Sequence, residues 1–114
     1  MAKRMLTTEI LCENRFLALP RGAQLLYVLM CLYADDDGLC GYAKMLVGLC
    51  KAEISDFFAL EKAGFIYAFE SGVIYIRDFR VMNRIPKKYY RKSVFKRELS
   101  EIEAGRIPPR GNLW

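Results

Sequence analysis

The chain contains no histidine, which removes at once the commonest general base, a common metal ligand and the usual near-neutral proton switch. Its four cysteines, Cys12, Cys31, Cys40 and Cys50, stand too far apart for any CxxC pair, and without histidine they do not complete a zinc set. Cys31 lies inside an apolar run and Cys50 on an apolar helical face, so both read as free buried thiols of a reducing compartment. Long hydrophobic runs are lacking too. The longest, Leu25 to Ala34, has ten residues, about half of what a bilayer-spanning helix needs. After Lys3 and Arg4 only Met5 and Leu6 precede Thr7, Thr8 and Glu9, too little apolar chain for a signal peptide. A cytoplasmic protein with no membrane attachment is the expectation.

Catalytic constellations are equally scarce. No serine, cysteine or lysine stands in a recognisable nucleophile and base pattern, so no catalytic residue, metal or cofactor is assigned. Asp35, Asp36 and Asp37 are adjacent acids, and three adjacent carboxylates do not all face one cation as the alternating ligands of a calcium loop do. With Gly38 they read as a turn that ends a helix, Gly38 taking positive φ and the carboxylates accepting nearby backbone amides.

Apolar residues make up 54% of the 114 residues and aromatic residues 13%, enough for one packed core and one domain. The net charge of +5 is unevenly spread. Residues 1–76 carry seven basic and nine acidic side chains, whereas residues 77–97 carry nine lysines and arginines against Asp78 alone, a balance of +8. Charge concentrated in this way suits a polyanionic partner, because neutralising phosphates releases condensed counterions. The bland alternative is a solvated, solubilising segment.

Local patterns predict a short first helix capped by Thr7 or Thr8 and ending near Cys12 or Phe16, then a central helix from Pro20 to Tyr33 that is apolar all round. A third helix over about 42–49 places Tyr42, Met45, Leu46, Leu49 and Cys50 on one buried face. A fourth, about 53–63, buries Ile54, Phe57, Phe58 and Leu60 and stops at Gly64. It leaves Lys51, Ser55, Ala59 and Lys62 outward. Two β-rich runs, 65–69 and 73–77, flank Glu70-Ser71-Gly72 as a hairpin. Pro86 predicts a further helix from about Lys87, with Phe95, Leu99 and Ile102 as a thin apolar stripe suited to packing on a second copy. The expected fold class is α+β, mainly helical: a winged helix-turn-helix with a two-stranded hairpin wing and a C-terminal helix. Residues 1–85 form the winged-helix domain, 86–104 the basic helix and 105–114 a flexible tail.

The stretch Leu11 to Ile85 resembles the amino-terminal winged-helix domain of phage replisome organisers and DnaD-like replication initiators. The likeness rests on Phe16, the helix start Leu19-Pro20-Arg21-Gly22-Ala23-Gln24-Leu25-Leu26 and the break Tyr33-Ala34-Asp35-Asp36-Asp37-Gly38. It continues through Leu60-Glu61-Lys62-Ala63-Gly64-Phe65-Ile66 and a hairpin ending in Tyr75-Ile76. The aromatic and histidine-rich stretch that often follows the wing in that family is replaced here by Phe79 to Pro86, without histidine. The resemblance implies DNA binding in replication initiation or its regulation, with replication proteins as further partners.

A helix-turn-helix reads bases from its second helix. Here that helix offers only Lys51, Ser55 and Lys62 beside Glu53, Asp56 and Glu61, and the wing tip presents Glu70. The stronger candidates for DNA, duplex or single-stranded, are Arg77, Arg80, Arg84, Lys87, Lys88, Arg91 and Lys92 on phosphates, with Tyr89 and Tyr90 stacking on unpaired bases. The competing reading gives the two tyrosines a packing role and makes the chain a non-catalytic module that dimerises or docks proteins.

Overall fold

A computed structural model describes residues 3–108 and 110. Two single-turn helices, α1 (Thr8–Leu11) and α2 (Asn14–Leu17), lead into the long α3 (Arg21–Tyr33). Pro20, with φ −56°, stands just before α3. The Gln24 amide reaches back to the carbonyls of Phe16, Leu17 and Leu19 at 3.0–3.3 Å, so the end of α2 is fastened to the start of α3. Then follow β1 (Leu39–Cys40), α4 (Ala43–Leu49), α5 (Ile54–Lys62), β2 (Ile66–Ala68), β3 (Ile74–Ile76), α6 (Phe79–Met82) and α7 (Lys96–Glu103). Among the described residues, no helix is long and apolar enough to cross a membrane.

The local signals act as physical chemistry requires. Gly64 takes φ +84° after α5, and the amides of Gly64 and Phe65 return to the carbonyls of Glu61 and Leu60 at 3.0 Å, closing the helix end. At the start of α5, Asp56 Oδ2 accepts the Glu53 amide at 2.8 Å. Asp56 is buried beneath α3, where a Cβ on Gly22 would collide with its carboxylate; glycine at that position lets the two helices approach. Gly72, at φ +90°, turns the hairpin between β2 and β3.

The sheet order is β1-β3-β2, both pairings antiparallel. β3 is buried on both faces. Ile66, Ile74 and Ile76 join the main core with Leu26, Tyr27, Met30, Leu60 and Phe65. Within it the rings of Phe16, Tyr27 and Phe65 meet edge to face, with centroids 5.4–5.6 Å apart, each such pair contributing about 0.5–1.5 kcal/mol beyond its burial. On the other face Val73 and Tyr75 pack with Leu39, Leu99, Ile102 and Ile107. The α7 stripe therefore closes the second side of the sheet, and its apolar residues are spent within the chain, not left for a second copy.

Several expectations are corrected. The helix drawn from Lys87 begins only at Lys96, and residues 86–90 form a turn in which the Tyr89 and Tyr90 amides return to the Pro86 carbonyl at 2.9 and 3.1 Å. Residues 105–108 and 110 are not a loose tail: Ile107 is buried in the second core, and the Arg110 side chain is only 2% exposed between Glu13 and Asp78, stacked on the Phe65 ring at 4.0 Å. The remaining tail residues, 109 and 111–114, lie outside those described. α3 is not buried all round, because Leu25, Leu32 and Tyr33 are exposed. α4 buries Ala43 and Leu46 while Tyr42, Met45 and Leu49 face outward; α5 buries Leu60 while Ile54 and Phe58 are exposed. Among the cysteines, Cys31 and Cys40 are buried, Cys50 is half-buried and Cys12 is exposed, all as free thiols. Burial pushes the Cys31 thiol up to about 12, leaving it inert at neutral pH.

Gly38 carries a specific stability load. Its φ is +84°, and a Cβ there would stand 2.7 Å from Phe79 Cβ. A side chain meets left-handed backbone strain, about 1–2 kcal/mol, and a clash with α6. Gly38→Ala is expected to lower unfolding free energy by about 2–3 kcal/mol, read as a shift of the urea midpoint at unchanged slope; a midpoint matching wild type contradicts the packing described.

Candidate nucleic-acid interface

The acidic turn organises the basic segment. Asp35 Oδ1 accepts the amides of Asp37 and Leu39 at 3.0 Å, a local turn of the kind the sequence implies. The outward oxygens reach a segment more than fifty residues later. Asp36 Oδ2 accepts the Arg91 amide at 2.9 Å, and Asp37 Oδ2 accepts the Ser93 amide at 2.8 Å. The Ser93 hydroxyl donates to Asp35 Oδ2 and accepts the Phe95 amide at 3.0 Å. Tyr90 Oη lies 2.8 Å from both oxygens of Asp37. Desolvation, this hydrogen bond and the charge of Asp37 push the Tyr90 phenol up to about 12, so it remains a donor throughout the physiological range.

Two further anchors hold the ends of this region. Asn83 Oδ1 accepts the Met5 amide at 2.7 Å, fixing residues 3–6 beside α6. The Arg4 guanidinium bonds the Ala34 carbonyl at 3.0 Å and Asp36 Oδ1 at 2.9 Å, with only 6% of its side chain exposed. The carboxylates of the turn are thus engaged by amides, hydroxyls and Arg4, and the strip from Pro86 to Phe95 is held by its backbone.

Its cationic side chains are left outward. Arg84, Lys87, Lys88, Arg91 and Lys92 are exposed, and none forms an ion pair with a carboxylate among the described residues. Arg80 approaches Asp37 at 3.6 Å with its side chain still 54% exposed. Arg77 is the exception: its guanidinium donates twice to the Pro108 carbonyl, at 3.1 and 2.8 Å, and belongs to a structural contact. Tyr89 is 65% exposed, with the Lys88 ammonium 5.0 Å from its ring centroid.

The sequence candidates on and just before α5 fall elsewhere. Lys51 precedes α5 in a left-handed conformation, φ 57°, and with Ser55 and Lys62 it is exposed. Beside them stand Glu53, Glu61 and two uncovered apolar side chains, Ile54 at 62% and Phe58 at 55% exposure. The hairpin tip is engaged as well, because the Ser71 hydroxyl donates to Glu98 on α7.

Beside the anchored strip lies a groove of about 540 Å³ lined by Tyr33, Tyr42, Tyr89 and Phe95 together with the exposed Arg91 and Lys92. Tyr33, Tyr42 and Phe95 were not among the sequence candidates, since each reads as an ordinary core aromatic on its own element. No family model matches the chain, nor does any curated protein or solved structure.

Proposed function

We propose that the chain is a non-enzymatic DNA-binding domain of the winged helix-turn-helix type, acting in replication initiation or its regulation in a phage or mobile element. In this reading the helices α3, α4 and α5 followed by the β2–β3 hairpin supply the winged-helix order. The replication assignment rests on the motif likeness to replisome organisers. DNA is held mainly by phosphate contacts from Arg80, Arg84, Lys87, Lys88, Arg91 and Lys92, with little reading of base sequence.

The observation that carries the proposal is the division of labour in the strip: its backbone is bound by carboxylates while its ammonium and guanidinium groups are left to solvent. A strip held in place loses less conformational entropy on binding than a mobile tail. Titration of labelled DNA across a salt series tests it, the expected result being a linear fall of log K with log salt. Affinity indifferent to salt overturns it.

A second reading, of a protein-interaction module, is favoured by the uncovered apolar side chains Met45, Leu49, Ile54 and Phe58 on α4 and α5. Lysines 44, 51 and 62 alternate there with Glu53 and Glu61, a mixed rim that is self-complementary and so suits a second copy of the chain in a two-fold pair. Light scattering is expected to show concentration-dependent dimers that Ile54→Asp with Phe58→Asp abolishes. A wild-type chain that stays monomeric to about 0.1 mM, a concentration well above micromolar dissociation constants, removes this reading.

A further inference from the structure

We propose that the groove between the acidic turn and residues 89–95 is a seat for one unpaired nucleobase, so that the strip engages single-stranded nucleic acid in preference to duplex. The inference rests on the nucleic-acid reading above and deepens it by naming the substrate form.

The groove combines the two features that single-strand sites require, aromatic faces for bases and cations for the backbone. Tyr33, Tyr42 and Tyr89 are all substantially exposed, although aromatic rings of this size ordinarily contribute to cores or interfaces. Tyr33 and Tyr42 meet edge to face, with centroids 6.0 Å apart and planes at 68°, an arrangement that leaves a ring face uncovered. The volume, about 540 Å³, falls in the usual range of small-molecule sites, about 300–1,000 Å³.

The backbone that carries the groove is held by bonds within the chain. The Phe95 ring lies over Gly41, where a Cβ would stand 2.7 Å from Cζ, so glycine at that position lets the ring form the groove wall. The segment carrying Tyr89, Arg91 and Lys92 is tied at three successive places, by Tyr90, the Arg91 amide and Ser93. A site on an anchored segment avoids the cost of ordering that loop on binding.

The electrostatics separate base from phosphate. Asp35 and Asp36 also line the groove, but their oxygens are engaged by Arg4, the Arg91 amide, the Ser93 hydroxyl and turn amides. A phosphate is therefore drawn to the exposed Arg91 and Lys92, while a base meets the tyrosine rings. A paired base keeps its faces stacked inside the duplex and offers none to this groove. The duplex-reading alternative is weakened by the acidic side chains of α5 and by the tethered hairpin tip.

The test uses the full chain with Tyr42→Ala and Tyr89→Ala combined, beside the Tyr42→Phe and Tyr89→Phe pair. Binding is followed by fluorescence anisotropy across one shared salt series on a DNA strand, an RNA strand and a DNA duplex of equal length, with melting curves to confirm folding. The alanine pair is expected to weaken single-strand binding by about tenfold per ring, the phenylalanine pair to restore it, and duplex binding and the salt slope to stay at wild-type values. A loss on either strand, or both, supports the seat and identifies the sugar it accepts. Unchanged single-strand binding, or equal losses on strand and duplex, overturns the seat while leaving salt-dependent phosphate binding intact. Absence of salt-dependent binding to all three probes overturns both the seat and the nucleic-acid reading beneath it.

Discussion

Arg110→Met is expected to lower the unfolding free energy by about 3–5 kcal/mol, the range for removing one partner from a buried ion pair. The guanidinium bonds both oxygens of Glu13 and one of Asp78, and it stacks on Phe65 at 4.0 Å. The Asp78 side chain is 1% exposed, so deleting the cation strands a carboxylate that water does not reach. Domains of this size hold about 5–15 kcal/mol in all, and a loss of about 3–5 kcal/mol corresponds to a melting temperature lower by about 10–20 °C. The pH dependence gives a second readout. Desolvation already pushes the Asp78 carboxyl above its ordinary value, against the opposing pull of Arg110. A carboxylate whose folded pKa is raised favours the folded state while protonated, and that advantage is lost as pH rises from its unfolded pKa through its folded one. Without Arg110 the folded value rises further, so the deficit is largest at neutral pH and narrows on acidification. Adding Asp78→Asn to Arg110→Met is expected to recover part of the loss. A melting temperature within about 3 °C of wild type for Arg110→Met would show that the cation supports little, since each kcal/mol corresponds to several degrees here.

The chain's punctuation was legible where it is local. Pro20, the Asp35–Gly38 turn, Gly64 and the Glu70–Gly72 hairpin each act within a few residues of chain, by backbone angle or, at Asp35, by a carboxylate that accepts the amides of Asp37 and Leu39. The faces of α4 and α5 were not legible. Apolar residues outnumber the places available in the core, so helical periodicity over 42–50 marks Tyr42, Met45 and Leu49 as strongly as Leu46, while the smaller Ala43 takes the inner position. Pro86 suited a helix start by its fixed φ, yet the carboxylates of residues 36 and 37 take up the Arg91 and Ser93 amides and the Tyr90 hydroxyl, residues 90–93 form no helix, and the helix waits until Lys96. The charge segregation was readable from composition. What anchors it was not, because Asp37 and Ser93 are 56 residues apart and no spacing rule links an acidic turn to a serine so distant. Arg110 escaped for the same reason: among prolines and glycines it reads as tail, and only the folded chain brings it between Glu13 and Asp78.

Replacing Lys87, Lys88, Arg91 and Lys92 together by glutamine is expected to cut DNA affinity about a thousandfold at ~0.1 M salt while leaving the fold intact. Each phosphate contact contributes about 0.7–0.9 to the slope of log K against log salt, so four contacts contribute about 3, and one decade below 1 M salt that slope is worth about three decades of affinity. The difference between variant and wild type should therefore shrink steadily as salt is raised. Folding is spared because the strip is attached by the Arg91 and Ser93 amides and by Tyr90, none of which the substitutions alter. Within the chain the substitutions take away the Lys88 ammonium above the Tyr89 ring, an interaction worth about 0.5–1 kcal/mol at an exposed site. A matched pair, Lys51→Gln with Lys62→Gln, removes two positive charges from α5 and the residues just before it instead. If the strip is the phosphate-contacting surface, that pair shifts affinity only through weak, screened long-range attraction and barely changes the salt slope. A quadruple variant that keeps the wild-type slope, or a Lys51 and Lys62 pair that flattens it more, would move the nucleic-acid surface away from the anchored strip and onto the surface of α5.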